Sequence, residues 1–203
     1  EKMDAAIREG GTGALRITVT RGAGARGLSG EAAGAPTLLA NLLDYDLTAP
    51  APPVRAQESA ILRNPTSVSA RYKTLSYTDN IVAVRAAVSA GFEDAFFFTG
   101  NGHLACASVA NVFVQKGETI LTPPISDGAL PGVMRGWILG QGRIGECTVA
   151  EGSISREELK TADRVFLTNS LRLFQPVAAF EDVDFDSSLP TGCAALRNLL
   201  IDG

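Results

Sequence analysis

The sequence predicts a two-lobed protein of the α+β or mixed α/β class. Strand-like runs outnumber helical ones, yet several helical segments stand between them. A proline-rich stretch, Thr48-Ala49-Pro50-Ala51-Pro52-Pro53, favours extended backbone, has no aromatic anchor and so divides the chain. The length, 203 residues with 45% apolar and 20% charged, suits one large domain or two small ones with buried cores. These observations predict an N-terminal lobe at 1–49, a linker at 50–56 and a larger lobe at 57–203. Neither repeats nor low-complexity tracts interrupt this plan.

The elements follow in order. Asp4 to Glu9 reads as a helix closed by Gly10-Gly11. Ala14 to Thr20 alternates apolar and polar residues with β-branching, which predicts a half-buried strand. A glycine-rich loop, Arg21 to Gly27, holds two arginines, and a second strand is expected over Pro36 to Tyr45. Beyond the prolines, Thr78 to Ala90 is a helix with Asp79 in its first turn and Gly91 as its stop. Asp94 to Thr99 reads as a buried strand containing Phe96-Phe97-Phe98, and Gly100-Asn101-Gly102 turns it into a run from Leu104 to Gln115. Lys116-Gly117 turns again into Thr119 to Thr122. Pro131 to Leu139 is a short helix with proline near its first turn. A strand over Ile144 to Val149, a helix over Arg156 to Ala162 and a strand over Val165 to Asn169 complete the reading.

Bulk charge excludes some functions. A net charge of −4 and a pI near 5.1 give no electrostatic case for nucleic acid or an anionic membrane. No apolar run is long enough to span a bilayer. Cys106, Cys147 and Cys193 are odd in number and lack CxxC or histidine-rich spacing, which points to reduced thiols in a cytoplasmic protein and against a metal site.

Of four lysines, three have ordinary settings: the terminus, a turn, and a helix with matching glutamates. Lys73 does not. It sits in Ala70-Arg71-Tyr72-Lys73-Thr74-Leu75-Ser76-Tyr77, before a helix and between apolar residues. Desolvation there would lower its pKa, as a Schiff-base lysine requires; a snorkelling or salt-bridged lysine is the alternative.

Four segments in register decide between them. The first is Tyr72 to Asn80. The second is Gly102-His103-Leu104-Ala105-Cys106-Ala107-Ser108-Val109-Ala110-Asn111-Val112-Phe113. The third is Thr122-Pro123-Pro124 with Leu130-Pro131-Gly132-Val133-Met134-Arg135-Gly136. The fourth is Phe166-Leu167-Thr168-Asn169-Ser170-Leu171-Arg172 with Gln175-Pro176-Val177. Together they resemble the class IV aminotransferase family, the fold type IV enzymes of pyridoxal 5′-phosphate (PLP) with a D-amino acid aminotransferase-like fold. The resemblance runs from about Leu15 to Val177. It implies that the N-terminal part of the small lobe, with an arginine that clamps the cofactor phosphate, is missing from this sequence.

The resemblance also implies roles. Lys73 would bind PLP and carry the proton at the substrate α-carbon, and Tyr77 would hydrogen-bond the cofactor phenolate. The amides of Val133 and Met134 would hold the phosphate at a helix N-terminus, with Ser170 near the phosphate or the substrate carboxylate. Cys106 departs from the family, because most members carry a glutamate there that keeps the pyridine nitrogen protonated. Arg21 and Arg26, in Arg-Gly-x-Gly-x-Arg-Gly, resemble the loop of 4-amino-4-deoxychorismate lyases and suit bidentate carboxylate recognition; a solvated loop is the alternative. Val133-Met134-Arg135 and Thr168 to Arg172 resemble the same enzymes, which puts Leu171 with Arg21 and Arg26 against the substrate. The sole histidine, His103, occupies a turn and receives no role. The implied activity is conversion of 4-amino-4-deoxychorismate to 4-aminobenzoate and pyruvate in a homodimer of folate biosynthesis. A branched-chain or D-amino acid aminotransferase is the second reading, and a non-catalytic family member the third.

Overall fold

The computed structural model describes residues 13–27 and 34–202, and divides into two units, Glu1–Ala49 and Pro50–Gly203. The helix expected over Asp4 to Glu9 lies outside the described residues. In the first unit, strands β1 (Gly13–Thr20) and β2 (Thr37–Asp44) form an antiparallel ribbon in register from Gly13↔Asp44 to Thr20↔Thr37. Both strands form where the sequence predicts them. The expected half-burial does not hold: Leu15, Ile17, Val19, Leu38 and Leu39 are exposed. Two strands alone present both faces to solvent, so alternation has no core to point at.

The second unit is built on one ten-stranded mixed sheet in the order β5-β4-β3-β11-β10-β6-β7-β9-β8, with β12 on β11. Its elements are β3 (Val54–Glu58), α1 (Val68–Arg71), α2 (Thr78–Ser89), β4 (Asp94–Phe98), β5 (Leu104–Ala107), β6 (Asn111–Lys116) and β7 (Thr119–Thr122). Then come α3 (Val133–Gln141), β8 (Arg143–Ile144), β9 (Cys147–Glu151), α4 (Arg156–Lys160), β10 (Arg164–Thr168), β11 (Gln175–Phe180), β12 (Val183–Asp184) and α5 (Cys193–Asp202).

Strand β3 corrects the linker. Residues 54–56 pair in parallel with β11 and residues 56–58 with β4, and Val54 and Ala56 are buried in the main core. The segment reads as a tether because a five-residue central strand carries too few apolar positions to stand out beside three prolines. Two other single runs divide in two. The stretch 104–115 breaks at Ser108–Ala110, where Ala107 N–H bonds Ala110 O at 3.0 Å, giving β5 and β6. The stretch 144–149 breaks at Gly145, whose φ of +56° permits the hairpin between β8 and β9. Helix α3 begins at Val133 with Gly132 as its N-cap, so Pro131 precedes the helix instead of opening it.

The core explains the sheet's order. Phe96, Phe98, Leu104, Val112, Val114, Val165, Leu167, Val177 and Phe180 form one cluster on one face, with Phe96 and Phe180 stacked at 5.5 Å between centroids. On the other face Phe113 stacks on Phe166 at 5.1 Å. Helix α2 lays Ala83 and Ala87 against Ala95, Phe97, Ala105 and Cys106. Small residues there let the helix approach closely. Helix α4 is fixed by a capping box between Ser155 and Glu158, and Arg156 grips Glu58 while lying 4.3 Å over the Phe98 ring.

Candidate functional site

Lys73 lies in the short connection between α1 and α2. The connection is shaped by tight local bonds, Thr74 N–H to Tyr72 O at 3.0 Å and Tyr77 N–H to Leu75 O at 3.0 Å. Tyr77 is the N-cap of α2. Four residues separate the two side chains, and the Lys73 ammonium donates to the Tyr77 hydroxyl oxygen at 2.9 Å, 5.1 Å from the ring centroid. The expected desolvated setting is absent. Lys73 is exposed, as are Tyr72 and Leu75 on either side, because these apolar neighbours point outward and do not pack over it.

The start of α3 is the second part. Gly132 has an extended backbone, no side chain caps the helix, and no acidic residue stands in its first turn. The end therefore keeps its partial positive charge and its unpaired amides. A Cβ on Gly132 would come within 2.1 Å of Asn111 Oδ1, so only glycine fits. Val133 is 78% exposed, whereas Met134 is buried.

Three asparagines, which received no role from the sequence, tie these parts together. Asn80, in α2, donates to Ser108 O at 2.6 Å. Asn169 donates to Val109 O at 3.3 Å and accepts from the amides of Leu171 and Arg172 at 3.0 and 2.9 Å. Asn111 donates to Leu130 O at 2.9 Å. The β5–β6 turn is thus bonded to α2, to the exit of β10 and to the entry of α3. Ser170 and Leu171 are exposed on that exit. Asn111 is buried at the first position of β6, a setting that the fold decides and that no sequence signal marks.

Cys106 lies on β5 opposite Phe97, 6% exposed, in the cluster beneath α2. Burial pushes its thiol up to about 11; the Arg63 guanidinium acts downward and Asp94 upward. The side chain is a neutral thiol at physiological pH. The nearby Asp94 carboxylate is engaged by the amides of Ala95 and Ser108, at 2.7 and 3.1 Å. A cavity of about 360 Å³ opens beside Arg63, Asn64, Thr99 and Asn101 and contains none of the expected site residues. Arg21 and Arg26 are exposed on the loop after β1, in the first unit.

PLP requires an amine, a cradle for its phosphate and a partner for its ring nitrogen. The first two fit: an accessible lysine held by a phenol, and an uncapped helix end whose glycine admits no Cβ. The third does not: Cys106, expected at the ring nitrogen, is a buried neutral thiol and not a carboxylate.

An aminodeoxychorismate lyase of Bacillus subtilis is 28% identical over 191 residues, covering 93% of this chain and 64% of that protein. A Methanocaldococcus jannaschii protein provisionally named a branched-chain-amino-acid aminotransferase is 28% identical over 170 residues, covering 80% of this chain and 57% of that one. The chain thus spans about three fifths of the length of these relatives. Among solved structures, a Legionella pneumophila protein provisionally named a 4-amino-4-deoxychorismate lyase superposes with a TM-score of 0.86 at 25% identity, over 98% of this chain and 73% of that one. The branched-chain amino acid aminotransferase of Escherichia coli superposes with a TM-score of 0.84 at 21% identity, over 98% and 68%. The mixed α/β architecture is therefore that of the fold type IV enzymes. Residues 1–180 match the model of the class IV amino-transferases, and the chain belongs to that family of PLP-dependent enzymes.

Proposed function

We propose that the protein is a lyase that converts 4-amino-4-deoxychorismate to 4-aminobenzoate and pyruvate. The observation that carries this reading is Cys106: buried, neutral and unable to sustain a protonated pyridine ring. When bound, PLP supplies a conjugated ring that takes up the electron pair left at the amine-bearing carbon. Without a carboxylate at its nitrogen that ring is a weaker sink, which penalises transamination most. In the lyase reaction the product ring becomes aromatic as pyruvate leaves, so a weaker sink is tolerable. The Bacillus subtilis lyase, similar over 93% of this chain, supports the same choice.

The residues divide the work. Lys73 removes the proton from the amine-bearing carbon, since one amine can hold the cofactor and then act as base once freed. Tyr77 orients Lys73 by accepting its hydrogen bond. The first amides of α3, those of Val133 and Met134, bind phosphate, with Ser170 beside them. Arg21, Arg26 and Leu171 contact the substrate, the arginines through its two carboxylates. The active form is a homodimer acting on a small molecule in the cytoplasm.

The second reading, an aminotransferase of branched-chain or D-amino acids, draws on relatives of that name. Incubation of the protein with PLP and 4-amino-4-deoxychorismate tests the first reading. Equimolar pyruvate and 4-aminobenzoate are expected. Glutamate formed from 2-oxoglutarate and a branched-chain amino acid, with no pyruvate in the first assay, refutes it.

A further inference from the structure

The start of α3 is held from an unexpected side. Its carbonyl anchor, Leu130 O, accepts two bonds: Gly132 N–H at 2.7 Å from within the turn, and Asn111 Nδ2 at 2.9 Å from the sheet. The Oδ1 of the same Asn111 amide lies where a Cβ of Gly132 would be, 2.1 Å from that ideal position. One buried side chain, 6% exposed, thus fixes both the height and the direction of the helix end. Asn111 is rigid in turn. It opens β6 opposite Thr168, the last residue of β10, above the Phe113–Phe166 stack.

Residues directly opposite in an antiparallel pair turn to the same face. Thr168 therefore shares the face of Asn111 at this end of the sheet. It is 1% exposed, and its hydroxyl has no hydrogen-bond partner among the described residues. Buried polar groups are normally satisfied. An unspent hydroxyl beside an uncapped helix end is the mark of a place arranged for a polar group beyond the chain's own.

We infer that Asn111 is the positioning residue of the phosphate cradle, setting the amides of Val133 and Met134 for a phosphate monoester. The inference rests on the PLP reading above. Asn111 touches no reacting atom; it acts through the Leu130–Gly132 turn. A general packing role would affect every ligand alike, whereas a positioning role is felt only by ligands that carry the phosphate.

The test titrates the full chain, as wild type, Asn111→Ala and Asn111→Asp, with PLP and with pyridoxal, reading dissociation constants from visible absorbance and checking folding by circular dichroism. Asn111→Ala should weaken PLP roughly tenfold, as expected for one lost hydrogen bond to a positioning group, and leave pyridoxal within about twofold. Asn111→Asp preserves shape, removes the donor and sets a carboxylate beside the anion site. It should weaken PLP further, in a manner that lessens with salt. Equal weakening of both ligands, or unchanged PLP affinity in a folded variant, overturns the assignment. A wild type that binds PLP no better than pyridoxal overturns the cofactor reading as well, and that outcome is read before either variant is compared.

Discussion

Replacing Cys106 with glutamate tests what the ring nitrogen meets. Cys106 is 6% exposed and packed with Ala83, Ala87, Ala95 and Phe97, so the larger side chain costs roughly 1–3 kcal/mol in overpacking. The carboxyl adds roughly 1–3 kcal/mol if buried without a partner. Asp94 is already engaged, and the Arg63 guanidinium is the cation whose field reaches position 106. The apoprotein of the variant should therefore be less stable than wild type. PLP reverses part of this by presenting a pyridinium to the carboxylate. A charge-assisted bond contributes roughly 1.5–3 kcal/mol, or roughly 10- to 150-fold in affinity. Cys106→Gln has nearly the same volume and no charge, so the difference between the two variants isolates the ionic contribution. The assay is PLP titration with the visible spectrum recorded, beside thermal unfolding with and without PLP. Glutamate should bind PLP more tightly than glutamine, shift the spectrum toward the protonated ring and raise transaminase side activity more than lyase turnover. Equal affinity and identical spectra for the two folded variants would mean that position 106 does not face the nitrogen.

Four further outcomes are expected. Lys73→Ala should abolish turnover and the bound-cofactor absorbance band together; borohydride reduction followed by peptide mapping that finds the pyridoxyl group on another lysine refutes the assignment. Tyr77→Phe removes the acceptor of the Lys73 bond without changing the fold and should lower kcat about tenfold with little change in Tm, read by steady-state kinetics. Arg135→Met leaves Glu151 and Pro123 O without the guanidinium they share and should cost roughly 1.5–3 kcal/mol in urea unfolding. Folding raises Cys106 from 9.0 to about 11 and Cys193 from 9.0 to about 12, through burial, so the folded state keeps protons that the unfolded chain loses. Stability should accordingly be intact below about pH 9 and fall as pH rises through that window; Cys193→Ala should flatten the fall, and an unchanged profile would refute it.

Legibility followed burial on two faces. Strand β4 announced itself through Phe96-Phe97-Phe98, because all its residues are buried and all but Asp94 are apolar. Strand β3 did not, although it lies in the middle of the sheet between β11 and β4. Only Val54 and Ala56 enter its core, and the Arg55 amide bonds the Glu93 carboxylate, so charge conceals a central position. The breaks within 104–115 and 144–149 were hidden for another reason. Each depends on one residue, Ala110 closing on Ala107 or Gly145 taking a positive φ, and a window of apolar residues averages over a single turn.

The site was legible where chemistry demands a residue type and illegible where it demands a position. An amine, a phenol and a glycine before a helix could be named from the sequence: Lys73, Tyr77 and Gly132. The asparagines that bind these parts into one place could not, since an amide serves any gap of the right length. The exposure of Lys73 belongs to the same distinction. Its neighbours Tyr72 and Leu75 are apolar, which the sequence states, but they face outward, which only the bonded turn at Thr74 and Tyr77 decides. A lysine left accessible beside two exposed apolar side chains is prepared to be covered by what it binds.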